Sequence, residues 1–128
     1  MNVVDSSAWL EYFGDGPNAT IFAEAIESPG ELAVPTLTLF EVFKRTRQLT
    51  DETTALEAIA VMLQGQVVEL SATLAIEAAR LSLDTGLAMP DAIILATARA
   101  EDAVLWTQDS HFEGLDNVEF REKQGPLS

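Results

Sequence analysis

Short, unbroken apolar runs alternate along this chain with longer segments whose apolar residues recur every three or four positions. Met1 to Val4 reads as a short buried strand. Ser6 or Ser7 is placed to cap a helix running through Trp9 to Phe13, and Gly14-Asp15-Gly16-Pro17 breaks it. A second helix is predicted over about Asn18–Glu27, ended by Ser28-Pro29-Gly30, and a second strand over Leu32-Ala33-Val34, closed by Pro35. Helices are predicted over Thr36–Gln48 and Thr50–Gln64, with Thr50 as the second cap and Asp51 and Glu52 favourably placed against the helix dipole. Gln66–Leu70 is a third strand. Ser71 then caps a helix whose Leu74, Ala78 and Leu81 form a core-facing stripe, stopped at Gly86. Pro90 opens a nearly all-apolar helix over Asp91–Glu101, Ala103–Thr107 is a fourth strand, and Val118-Glu119-Phe120 adds a short edge strand.

Strands that are apolar throughout, alternating with helices, predict an α/β protein whose parallel sheet is covered on both faces. No repeat, low-complexity segment or linker interrupts residues 1–128, so a single domain is expected, long enough to bury a substantial core. Apolar residues make up 48% of the chain, which excludes a disordered one. No window reaches the roughly 18 consecutive apolar residues that span a bilayer, so no membrane partner is expected. With no cysteine and no recognisable export signal, a cytoplasmic location is expected.

Charge narrows the function. Seven basic against 21 acidic residues leave a net charge of −14, which repels nucleic acid and lacks the basic footprint of an ordinary DNA-binding domain. Such a chain either avoids polyanions or meets one locally, through bound cations and a small basic patch. Lys44, Arg45 and Arg47 concentrate three of the seven positive charges. On their own they read as a solvated helix face.

Four carboxylates stand out because of their neighbours. Asp5 follows Val3-Val4, Asp109 follows the fourth strand, Asp91 opens the apolar helix, and Glu41 lies among Leu39, Phe40, Val42 and Phe43. An ionised carboxylate beside apolar surroundings is expensive to desolvate without a partner. Asp5 and Asp109 leave strands at the sheet's carboxyl edge, where open parallel sheets gather their sites, and Asp91 can face the same edge. Together the four suggest an acidic cluster that holds a divalent metal.

Val3-Val4-Asp5-Ser6-Ser7-Ala8-Trp9, Glu41-Val42, Pro90-Asp91-Ala92-Ile93-Ile94-Leu95-Ala96-Thr97-Ala98 and Leu105-Trp106-Thr107-Gln108-Asp109 resemble, in order and position, the motifs of PIN domains. The similarity is greatest to VapC-type toxins of toxin–antitoxin pairs. It implies a three-layer α/β/α sandwich with a central parallel sheet and a metal-dependent endoribonuclease that uses Mg²⁺ or Mn²⁺. It also implies an RNA substrate cut to a 5′-phosphate and a 3′-hydroxyl, a cognate antitoxin, and a homodimer. Asp5, Asp91 and Asp109 then bind metal, directly or through water, and Glu41 orients or deprotonates the attacking water. Ser6 and Thr107 are candidate supports for the cluster or for a phosphate oxygen. Relatives often carry a further acid after the fourth motif, whereas here Ser110 and His111 intervene before Glu113 and Asp116.

Each acid also has a purely structural explanation. Asp5 and Asp109 can be N-caps, Asp91 a charge favoured by a helix dipole, and Thr38–Glu41 a capping box. His111, the only histidine, has no Gly-x-Ser-x-Gly elbow to serve and reads as a loop residue or at most a phosphate contact. Leu37, Phe40, Val42 and Phe43 cover more of a helix than one core stripe needs, implying either a dimer seam, a groove for an antitoxin helix, or burial on two sides. Two other functions fit the acidic α/β pattern. One is a catalytically inert binding module of the same fold. The other is a receiver-like phosphoacceptor domain, which wants paired acids after its first strand and a late lysine, where this chain has Asp5 alone and Lys123.

Overall fold

The first strand, β1 (Asn2–Val4), lies in the middle of a five-stranded sheet. In the computed structural model, which describes residues 1–125, β2 (Leu32–Pro35) pairs with it on one side and β4 (Val104–Thr107) on the other. Beyond these lie β3 (Gln66–Val68) and β5 (Val118–Phe120), giving the order β3-β2-β1-β4-β5 with every neighbouring pair parallel. Residues 126–128 of the expected domain lie outside the described ones. This order differs from the 2-1-3-4-5 order of receiver domains, so the receiver-like alternative does not fit the fold.

Successive residues of a strand face opposite sides of the sheet, and each side here has its own core. Val3, Ala33 and Leu105, in register with one another, pack under α5 (Ala72–Thr85) and α6 (Met89–Ala100) with Leu74, Ala78, Leu81 and Ile94. Val4, Leu32 and Val34 face α1 (Ser6–Phe13), α2 (Ala19–Ile26), α3 (Thr36–Leu49) and α4 (Glu52–Met62), meeting Trp9, Phe22, Val42 and Met62. The result is the expected three-layer sandwich. Every residue of α6 from Ala92 to Ala98 is buried, which is why that helix is apolar all round.

Boundaries differ from the sequence expectation where hydrogen bonding overrides pattern. Asp5 caps α1, accepting from the Ser7 amide, in place of Ser6 or Ser7. Asp51 caps α4, accepting from the Thr54 amide at 2.7 Å. Thr50, expected in that role, instead closes α3 by donating to the Thr46 carbonyl. β3 stops at Val68, two residues early, because Val68 is matched to Pro35, where β2 gives way to α3. Helix α6 starts at Met89, with Pro90 in its first turn, where a missing amide hydrogen is harmless. Gly86, with φ +79°, ends α5 in the left-handed conformation as expected.

Helix α3 is buried on two sides. Leu37 packs against the α5/α6 core, and Val42 and Leu39 against the other. Phe40 belongs to neither: it is 61% exposed, with the Lys44 ammonium 5.7 Å from its ring centre. Phe40, Phe43, Leu56 and Ile59 line an apolar groove between α3 and α4, rimmed by Lys44 and Arg47. A second apolar stretch, with Leu70, Leu83 and Met89 exposed, lies along α5 and α6. Among the described residues no single helix is long and apolar enough to cross a membrane.

Candidate metal centre

The sheet changes direction of winding between β1 and β4, and a crevice opens at the carboxyl ends of two strands whose chains then diverge. Asp5 stands at the end of β1 in this crevice. Its amide donates to the Trp106 carbonyl at 2.9 Å, tying the exits of β1 and β4 together. Its carboxylate is almost fully buried, with Oδ2 accepting from Ser7 Oγ at 2.7 Å and from Thr107 Oγ1 at 2.9 Å. Burial is the main influence on Asp5 and raises its pKa; the Ser7 and Thr107 hydrogen bonds oppose that, and the nearby Asp109 charge adds to it.

Thr107 performs two tasks. Besides donating to Asp5, its hydroxyl accepts the Asp109 amide at 3.0 Å, and so holds the first and last acids at one level. Asp109 starts a 3-10 turn, Ser110–Phe112, and its Oδ1 accepts the His111 amide at 2.9 Å. Asp91 enters from the first turn of α6 and is half-buried, with a pKa raised to about 6. Desolvation is the largest cause, followed by the charges of Asp5 and Asp109, while His111 pulls the other way. Glu41 comes from α3. Its Oε1 accepts from Ser6 Oγ at 2.6 Å, and burial, with the Asp5 charge in support, raises its pKa.

Charge effects link the four acids singled out from the sequence, Asp5 with Asp109, Asp91 and Glu41, and Ser6 and Thr107 are bonded to two of them, while the donor atoms within 4.8 Å of one another come from Asp91, Asp109 and His111. The capping explanations divide. Asp5 and Asp109 do cap α1 and the 3-10 turn, but each cap uses a single oxygen of the carboxylate. Glu41 belongs to no capping box: Thr38 lies inside α3 and donates to the Pro35 carbonyl, and no side chain caps that helix. Neither Glu113 nor Asp116 makes a hydrogen bond or ion pair with these acids among the described residues. The Asp116 carbonyl is reached by Arg99, in the last turn of α6, a full helix away from Asp91.

Two participants were not anticipated. Ser7, expected as a cap within the opening motif, donates its hydroxyl to Asp5. His111, expected to be a loop residue or at most a phosphate contact, has its Nδ1 3.2 Å from Asp109 Oδ1 and 3.4 Å from Asp91 Oδ2. The Asp-x-His spacing is the only trace of this in the sequence, and it becomes informative only once the tight turn is known.

Oxygen donors dominate this crevice, and hard divalent cations prefer such donors. No lysine or arginine pairs with any of the four acids among the described residues. No hydrogen bond among them reaches Asp5 Oδ1 or either Asp91 oxygen, apart from the His111 contact, so ligand positions are available. The donor chemistry of these residues fits a divalent cation.

An open parallel sheet with an acidic crevice at its switch point defines the class of protein. Residues 3–118 match the family described as PIN domain, and the chain belongs to that family. No curated protein matches it in sequence. Solved structures share its fold. One is a toxin–antitoxin complex from Klebsiella pneumoniae, 23% identical, covering 93% of this chain and 96% of that one, with a TM-score of 0.80. A second is VapC20 of Mycobacterium tuberculosis, described as a sarcin–ricin loop cleaving toxin, 16% identical over 91% and 95% of the two chains, with a TM-score of 0.75. A third is VapBC2 of Rickettsia felis bound to a DNA fragment from its promoter, 16% identical over 94% and 97%, with a TM-score of 0.71.

Proposed function

We propose that this protein is a divalent-metal-dependent endoribonuclease and the toxin of a type II toxin–antitoxin pair. The observation that carries the reading is the charge repulsion that links Asp5, Glu41, Asp91 and Asp109, with burial and that repulsion raising the pKa of Asp5, Glu41 and Asp91. Carboxylates kept at such a free-energy disadvantage in the absence of a cation are characteristic of functional sites. PIN-family membership and the toxin titles of proteins that share the fold support the same reading.

Asp5, Asp91 and Asp109 hold the cation, Mg²⁺ or Mn²⁺, directly or through water. When bound, it lowers the pKa of coordinated water and neutralises charge developing on the phosphate. Thr107 and Ser7 orient the Asp5 carboxylate, and Thr107 also fixes the Asp109 backbone. Glu41, positioned by Ser6, takes the proton from the attacking water. Water oxygen bonds to phosphorus, the P–O3′ bond breaks, the leaving 3′-oxygen takes a proton from solvent while Glu41 returns its own to solvent, and the products are a 5′-phosphate and a 3′-hydroxyl. The chain's charge of −14 opposes RNA, so binding depends on the cation and on Lys44, Arg45 and Arg47 of α3, whose three side chains are exposed. An antitoxin partner is proposed from the complexes formed by proteins of the same fold, and a homodimer from the exposed apolar stretch on α5 and α6.

The test is cleavage of tRNA and rRNA fragments with Mn²⁺ or Mg²⁺, beside an EDTA control and Asp91→Asn, with end-group analysis. Cleavage is expected to need both the metal and Asp91. Products ending in a 2′,3′-cyclic phosphate, or cleavage in EDTA, would refute it. A protein that binds divalent metal but cleaves none of a transcriptome-wide RNA set would instead be the inert binding module.

A further inference from the structure

We propose that His111 is a nitrogen ligand of this metal centre, and that it biases the site toward a first-row transition ion over Mg²⁺. The inference rests on the metal-site reading above and adds a donor that the acidic motifs do not contain. One ligand atom from each of Asp91, Asp109 and His111 can be chosen so that all three lie within 4.8 Å of one another. The Nδ1 contacts of 3.2 Å and 3.4 Å are close to the donor–donor edge of an octahedron, about 3.0 Å for metal–ligand bonds of about 2.1 Å. The 3-10 turn sets this up. Asp109 caps it with Oδ1, and that bond to the His111 amide fixes the backbone that aims the imidazole back toward Asp91. The ring is 72% exposed, so it reaches the crevice from the solvent side and is not part of the core.

Donor chemistry supplies the selectivity. Carboxylate and water oxygens suit Mg²⁺ and Mn²⁺ alike, whereas an imidazole nitrogen favours later, more polarisable ions along the first transition row. A site built from acids alone would discriminate little between the two. With His111 among the donors, Mn²⁺ gains a contact from which Mg²⁺ benefits less. The competing account is that His111 is only an imidazolium counter-ion for Asp91 and Asp109.

The chain has one histidine, which makes the test direct. The full-length protein, free of any histidine tag, is loaded with Mn²⁺ and examined by electron spin-echo envelope modulation for ¹⁴N coupling from imidazole. The same signal is sought in His111→Ala and His111→Gln, and Mn²⁺ and Mg²⁺ affinities are measured by calorimetry. A ¹⁴N modulation in the wild-type protein that is absent from both variants is expected. So is a loss of Mn²⁺ affinity on the order of tenfold, while Mg²⁺ affinity stays the same or tightens. Bound Mn²⁺ without imidazole modulation overturns the inference and leaves His111 as a counter-ion. Failure of the wild-type protein to bind Mn²⁺ at all overturns the metal-site reading itself, and the inference with it.

Discussion

Replacing Asp91 by Asn should make the metal-free protein more stable, although it removes a residue central to the proposed function. Asp91 is a half-buried carboxyl whose pKa rises from 3.8 to about 6 on folding, through desolvation and then repulsion from Asp5 and Asp109. For an acid, a raised folded-state pKa means that the folded form binds the proton more tightly. Stability from this group is therefore greatest below about pH 3.8 and is lost as pH rises to about 6, beyond which the penalty is complete. That difference corresponds to about 3 kcal/mol at about 1.4 kcal/mol per tenfold. Contact with solvent and the favourable helix dipole reduce it to roughly 1–2 kcal/mol. Asparagine cannot ionise, so Asp91→Asn recovers that amount at pH 8 and about half of it at pH 5. The assay is urea unfolding in EDTA at both pH values, followed by fluorescence of Trp9 and Trp106. At pH 8 the midpoint should rise, with the melting temperature up by roughly 3–8 °C. Saturating Mn²⁺ should reverse the order, because only the wild-type site gains binding energy from the ion. A variant less stable than wild type at pH 8, or equally stabilised at pH 5 and pH 8, would refute the reasoning.

Other consequences follow from single contacts. Thr107→Val removes the donor to Asp5 and the acceptor of the Asp109 amide at similar volume, and should destabilise by about 1–3 kcal/mol in urea unfolding while weakening Mn²⁺ binding in calorimetry. Glu41→Gln keeps an acceptor for Ser6 but cannot take a proton. Cleavage should fall by about a hundredfold or more with Mn²⁺ affinity changed less than about fivefold, and parallel losses in both would make Glu41 a ligand instead. RNA binding in a filter assay should be weak in EDTA and strengthen with Mn²⁺, since the free surface is repulsive; tight binding in EDTA would contradict this.

Much of the architecture is written locally. Apolar runs at Val3-Val4 and Val104–Thr107, and helical stripes such as Leu74, Ala78 and Leu81, record which face of each element leaves water, and that is the dominant free-energy term in folding. Cap and stop residues work over three or four positions, which is why Ser71 and Gly86 are legible and why the sequence does not separate Thr50 from Asp51, adjacent and both competent. The four acids were legible because each contradicts its apolar surroundings. What the sequence by itself could not determine is anything that depends on strand order. Asp5 and Thr107 are 102 positions apart, and they share a hydrogen bond only because β4 crosses back to lie beside β1. The same crossing turns Ser7 from a cap candidate into a donor to Asp5. Docking α6 alongside β4 brings His111 from a surface loop to Asp91, twenty residues away in sequence. A pattern along the chain records burial residue by residue, whereas which buried edges meet is decided by packing the whole sheet between its two helical layers.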